Sequence, residues 1–202
     1  MIRVEFYVFE NIFISTRRPT TACSGRAPSM SLILKGSCAP LMPGVMPRRN
    51  VQLELIAITE NGELAKPMSS MPVMVAEVAG ATMQLYRSVG YEPPWIGYLA
   101  FEDDTCVGAC GFKSPPQENR VEIAYFTFPE HESRGVATQM ASELIRLARE
   151  KVPAVTIAAQ TLPEENASTS VLKKLRFRLA GTLKHPEDGQ VWEWQLSNAS
   201  EA

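Results

Sequence analysis

The chain lacks most of what would point to metal, disulfide or membrane chemistry. Its 202 residues include four cysteines (Cys23, Cys38, Cys106 and Cys110) and two histidines (His131 and His185). No two cysteines form a CxxC pair and no histidine cluster accompanies them, so no metal site is expected. A disulfide framework is not expected either, and a reducing compartment, the cytoplasm, is the default. Cys106 and Cys110 lie in an apolar run and read as small buried hydrophobes. No apolar run approaches the roughly 18 residues of a membrane helix. Without a Walker sequence or a GxGxxG, a nucleotide-binding module is disfavoured.

Excess charge is also scarce. The net charge is -2, which gives no general attraction to nucleic acid. The distribution is uneven. Residues 1–50 hold seven Lys/Arg against two acids, a net of +5, so the remainder carries -7. That contrast suggests two different pieces of protein. Residues 1–50 show Ser, Thr, Pro and Gly clusters without a sustained period, and disorder or loose packing is expected there. Their start, MIRVEFYVFENIFI, is interrupted by Glu5 and Glu10 and lacks the clean hydrophobic core of a secretory signal. A transit peptide and an upstream extension of the reading frame, with Met46 as the start, are both open readings. Residues 51–197 read as the folded domain and 198–202 as a tail.

What is present is an ordinary globular composition, 45% apolar and 21% charged. Val51, Leu53, Leu55 and Ala57 alternate as in a strand. Residues 63–88 read as one or two helices, with Val75, Val78, Ala79, Leu85 and Tyr86 at helical spacing in the second part. Three strand-like runs follow: 95–101, 106–112 and 121–128. Asp103-Asp104 and the loop 114–119 separate them, which suits an antiparallel meander. Residues 134–150 form the clearest helix, with Val136, Met140, Leu144, Leu147 and Ala148 on one stripe. A short strand at 155–159, a short helix at 167–175 and a terminal hairpin over 179–196 complete the order.

The stretch VEIAYFTFPEHESRGVAT, residues 121–138, carries the chemistry. A strand ends at Phe128, a short polar loop follows, and Arg134-Gly135-Val136-Ala137 opens the long helix. A helix start offers unpaired N–H groups and the positive end of the dipole, which together attract anions, phosphate above all. Gly135 has no Cβ, so a phosphate can approach the backbone closely. Glu122 shares a strand face with Ala124 and Phe126 in an apolar run, where a carboxylate could serve as a base or as half of a structural ion pair.

This order of elements resembles the GNAT superfamily of acetyl-CoA-dependent N-acetyltransferases. The signature Gln/Arg-x-x-Gly-x-Gly/Ala reads Glu132-Ser133-Arg134-Gly135-Val136-Ala137 here, with Glu132 in place of Gln or Arg. A second stretch, TLPEENASTSVLKKLRF, resembles the family's Asn-containing turn and the short helix ending Leu-Gly-Phe, with Glu165 at the Asn place and Arg176 at the Gly place. The branch of ribosomal-protein N-terminal acetyltransferases is nearest in style. The resemblance covers about residues 51–197.

It implies a mixed α/β (α+β), mostly antiparallel sheet flanked by helices. Acetyl-CoA would be the co-substrate, with no metal. Ser133, Arg134, Gly135, Val136, Ala137 and Thr138 would face its phosphates. Phe126, Thr127 and Phe128 would offer backbone to the pantetheine arm, on a strand that splays from its neighbour at a bulge. Asn166, Ser168 and Lys174 would add contacts, with a solvated helix face as the other reading of Lys174. Glu122 would act as base. Leu172 stands where many relatives carry an acidic Tyr, so that acid is absent. Tyr86, Tyr91, Trp95 and Glu77 would line the acceptor pocket by analogy. The acceptor would be a protein N-terminus or a small amine, and a homodimer fits. A non-catalytic acyl-CoA-binding sensor or interaction domain is the alternative.

Overall fold

Apolar alternation places the strands where the runs predict them. In the computed structural model, which describes residues 52–66, 72–186 and 189–197, β1 spans Leu53–Ala57, β2 Gly97–Glu102, β3 Thr105–Phe112 and β4 Arg120–Thr127. Helix α1 (Val73–Val89) connects β1 to β2. Helix α2 is Val136–Lys151, β5 Thr156–Thr161 and α3 Ala167–Lys174. Strands β6 (Arg178–His185) and β7 (Gly189–Leu196) close the chain. One seven-stranded sheet runs in the order β1-β2-β3-β4-β5-β7-β6. Every pairing is antiparallel except β4 with β5. This is the mixed, mostly antiparallel architecture expected.

One element differs. Residues 63–66 are not helical. Leu64 bridges back to Ile58, and Thr59 N–H donates to the Glu63 carbonyl at 2.8 Å. Gly62, at φ 76°, supplies the left-handed residue of that turn, and Thr59 Oγ1 accepts from Glu63 N–H. Local turn chemistry holds that segment out of the helix, which begins at Val73. Pro67 and the net-basic residues 1–50 lie outside the described residues.

The two sheet faces carry different helices. Val75, Val78 and Ala79 of α1 pack with Ile56, Leu99, Phe101 and Ala109. Met140, Ala141 and Leu144 of α2, with Val171 and Leu172 of α3, pack with Val107, Val121, Ile123, Tyr125 and Ile157. Neighbours along β2 alternate between the clusters, so α1 covers one face and α2 with α3 the other. Met140 and Leu144 are fully buried, as the stripe predicted, and Ala141 joins them while Leu147 is half-buried. Cys110 is fully buried and Cys106 half-buried, both as free thiols.

Candidate active site

The site begins where β4 and β5 part. They share three parallel register pairs, Arg120 with Thr156, Val121 with Ile157 and Glu122 with Ala158. Beyond these, Ile123–Thr127 pairs only with β3, and Ala159–Thr161 only with β7. One backbone edge of β4 therefore faces a gap rather than a strand. The resemblance implies such a separation at a bulge, yet β4 keeps an unbroken register with β3. On its other side β4 lies close to β3. A Cβ built on Gly108 would stand 2.4 Å from the Phe126 carbonyl and 3.2 Å from Thr127 Cα. The missing side chain lets the end of β4 settle closely on β3.

Thr127 ends β4, and its buried Oγ1 has no hydrogen-bond partner. Phe126 is half-buried, and its ring is tilted against Phe128, which is buried and anchored by its N–H to the Val107 carbonyl. A 3-10 turn, Pro129–His131, then leads to the loop. Ser133 (φ 62°) and Gly135 (φ 89°) are both left-handed. Successive N–H groups in such a turn form an anion-binding concavity. Gly135 is the N-cap of α2; no side chain caps this start and no acid occupies its first turn. The space around a Cβ on Gly135 is open. Val136 is buried, while Ala137 and Thr138 are half-buried. Arg134 turns its guanidinium sideways: Nη2 donates to Glu102 Oε2 and Nη1 bonds His131 Nδ1 at 2.9 Å. Its side chain straps the loop to the end of β2.

Across the gap stands the start of α3. Asn166 caps it, with Oδ1 accepting from Thr169 N–H at 3.0 Å and its own N–H donating to Thr169 Oγ1 at 2.9 Å. The Ser168 carbonyl accepts from Tyr125 Oη at 3.4 Å, tying α3 to β4. Lys174 is exposed at the other end of α3, about 10 Å further along the axis at 1.5 Å per residue. Leu172 is fully buried in the core.

Glu122 lies at the last β4–β5 pair, with its side chain 12% exposed. Its Oε1 is 2.8 Å from Lys113 Nζ, an ion contact that does not meet hydrogen-bond angles, since Oε1 receives no hydrogen bond. Its Oε2 accepts from Arg120 Nη2 at 3.4 Å and Gln160 Nε2 at 3.3 Å. Sequence reasoning singled out Glu122 but missed Lys113, Arg120 and Gln160 around it. Arg120 shares Glu122's face by the two-residue period of a strand; Gln160 does so only through the β4–β5 register. Of the residues offered for an acceptor pocket, Tyr86 and Trp95 are buried. Tyr86 Oη donates to the Ile58 carbonyl and accepts from Gly97 N–H, and Trp95 packs edge-on against Phe112. Tyr91 is half-buried and Glu77 exposed.

The family model described as an acetyltransferase (GNAT) domain matches residues 54–178. The chain belongs to the GNAT acetyltransferase family. The uncharacterized N-acetyltransferase p20 of Bacillus licheniformis is 28% identical over 128 residues, which span 62% of this chain and 72% of that protein. The ribosomal L7/L12 alpha-N-protein acetyltransferase RimL, in complex with coenzyme A, superposes with a TM-score of 0.54. It is 18% identical, over 72% of this chain and 93% of its own. The protein yncA from Salmonella typhimurium, solved with its cofactor acetyl-CoA, gives 0.51 at 15% identity over 75% and 96%. At these identities the structural likeness is one of fold. GNAT enzymes transfer acetyl groups from acetyl-CoA. The loop fits that group: an open backbone at Gly135, an uncapped helix start, a free strand edge and an unpartnered Thr127 hydroxyl. No cluster of metal-ligating side chains occurs among the described residues. No helix among them is long and apolar enough to cross a membrane.

Proposed function

We propose that this chain is an N-acetyltransferase that moves the acetyl group of acetyl-CoA onto a primary amine. The α-amine of a protein N-terminus is the best-matched acceptor, ahead of a small-molecule amine. The observation that carries the reading is the free edge of β4 running into an uncapped helix start. A long ligand with an anionic end and amides along its arm matches both.

In this reading the backbone of Ser133, Arg134, Gly135, Val136, Ala137 and Thr138 holds the pyrophosphate, with the Thr138 hydroxyl beside it. Phe126, Thr127 and Phe128 offer N–H and C=O groups to the pantetheine arm. Asn166, Ser168 and Lys174 contribute from α3. When bound, acetyl-CoA supplies an acetyl group activated as a thioester. The acceptor nitrogen forms the new N–C bond, the C–S bond breaks, and the amine must shed a proton. Glu122 takes it through a water relay, its Oε1 being buried beside the Lys113 ammonium and its Oε2 held by Arg120 and Gln160. Freeing an amine with pKa near 10 costs about 4 kcal/mol at pH 7, whereas an α-amine near 8 costs about 1 kcal/mol. Leu172 cannot donate a proton to the leaving sulfur, and a thiol with pKa near 8.5 leaves tolerably as its anion.

Residues 51–197 form the catalytic unit in this reading, with 1–50 and 198–202 as appendages. It assigns the protein to the cytoplasm, in keeping with the free thiols Cys106 and Cys110, and is compatible with a homodimer. The test is thiol release from acetyl-CoA with three acceptors: a peptide with a free N-terminus, the same peptide N-blocked but carrying a lysine, and a short diamine. Turnover is expected for the first above the others. Glu122→Gln should lower kcat by about 100-fold, the low end of general-base effects. A protein that binds acetyl-CoA yet acetylates none of the three would be an acyl-CoA-binding module instead.

A further inference from the structure

We propose that Arg120 and Glu193 are positioning residues for Glu122, an inference that rests on the base reading above and deepens it. Glu193 is a buried carboxylate, 8% exposed, on β7, two strands away from β4 in the sheet. Arg120 nonetheless reaches it across β5. Its Nη2 lies 3.3 Å from Glu193 Oε1 and 3.4 Å from Glu122 Oε2, and its Nε also donates to Glu193 Oε1 at 3.3 Å. Gln195 Nε2 donates to the same Glu193 oxygen at 2.7 Å. Gln160, which stands opposite Glu193 in the β5–β7 register, donates to Glu122 Oε2. One guanidinium therefore serves two carboxylates, a task suited to its planar fork of donors.

The arrangement has two consequences. The first is mechanical. Only three register pairs join β4 to β5, and Glu122 sits on the last of them, where the strands part. The Arg120–Glu193 tie crosses that joint side chain to side chain and fixes Glu122 at the apex of the gap. Oε2 is fastened from two strands, while Oε1 is buried beside the Lys113 ammonium at 2.8 Å, so the whole carboxylate is held in one orientation. The second is electrostatic. The groups that face Glu122 are Lys113 past the end of β3, Arg120 on β4 and neutral Gln160 on β5, with Glu193 on β7 acting through Arg120. Glu193 occupies part of the charge of Arg120. Without it the cation would act on Glu122 alone and hold its proton off more strongly.

The test follows the carboxyl carbon of Glu122 by nuclear magnetic resonance. The full chain is labelled with carbon-13 at glutamate side chains, and the signal is assigned by its loss in Glu122→Gln. Glu193→Gln should move the titration midpoint of Glu122 down, and Arg120→Gln should move it up, each by about half a pH unit or more. Arg120→Lys, which keeps the charge, should return the midpoint close to wild type, and it decides the matter with Glu193→Gln should Arg120→Gln fail to fold. Midpoints that stay put, or that move the same way in Glu193→Gln and Arg120→Gln, would overturn the inference. Opposite shifts together with undiminished thiol release by Glu122→Gln would leave the brace standing and retire the base.

Discussion

Arg134 stands between two left-handed residues, and its side chain does not face the helix start. It is bound to Glu102, whose side chain is 11% exposed, and to His131. The backbone of the loop is thereby offered to an anion while the side chain holds the loop still. Glu102→Gln should raise the dissociation constant for acetyl-CoA about three- to tenfold, the scale of a partly exposed ion pair, as a calorimetric titration would show. Arg176 shows a different economy. At φ 65° it is the left-handed residue after α3, where its N–H donates to the Lys173 carbonyl at 3.1 Å and Phe177 N–H to the Leu172 carbonyl at 3.0 Å. The position suits glycine, which the resembling family carries there. Arg176→Gly should stabilise the fold by up to about 1 kcal/mol in chemical denaturation, with acetyl-CoA binding unchanged.

Strands set the site more than helices do. The end of β4 that borders the gap packs closely on the bare Gly108 of β3. Gly108→Ala puts a methyl against backbone, which cannot swing away as a side-chain tip can. It should lower stability by about 1–3 kcal/mol and weaken acetyl-CoA binding in the same protein. A variant of unchanged stability and affinity would show that the site does not depend on this close packing.

Much of this scale was legible in the sequence. Apolar runs bounded by Asp103-Asp104 and the Pro115-Pro116 loop marked the meander, and the 136–148 stripe marked α2. The left-handed Gly135 at the start of α2 was legible as a glycine placed between a strand and an apolar helical stripe. The turn at 59–64 was not, because its bridge and hydrogen bonds join residues that no period in the sequence links. The brace was not either. Arg120 and Glu193 lie 73 residues apart, and only sheet order and register bring them together.

At the scale of the molecule, burial sets the response to pH. It pushes the Cys106 thiol up to about 11 and the Tyr98 phenol up to about 12, and Tyr86, Tyr125 and Cys110 are raised by burial as well. The unfolded chain gives up these protons at lower pH, near 8.5 for thiols and 10 for phenols. The stability they supply is therefore complete below about pH 8.5 and is lost progressively as pH rises towards 12. The urea midpoint should hold steady from pH 7 to 8.5 and fall steeply by pH 10.5; a flat profile over that range would contradict it.

The account as a whole rests on the loop from Ser133 to Thr138 as the seat of the cofactor's phosphates. Its most direct test is a calorimetric titration of the purified chain with acetyl-CoA, run beside Gly135→Glu. That residue is exposed at φ 89°, with open space about its Cβ, so the variant adds strain of only about 1–2 kcal/mol and sets a carboxylate at the anion site. The account predicts saturable binding by the wild-type chain and none by a folded Gly135→Glu. Equal binding by both would place the phosphates elsewhere and contradict it.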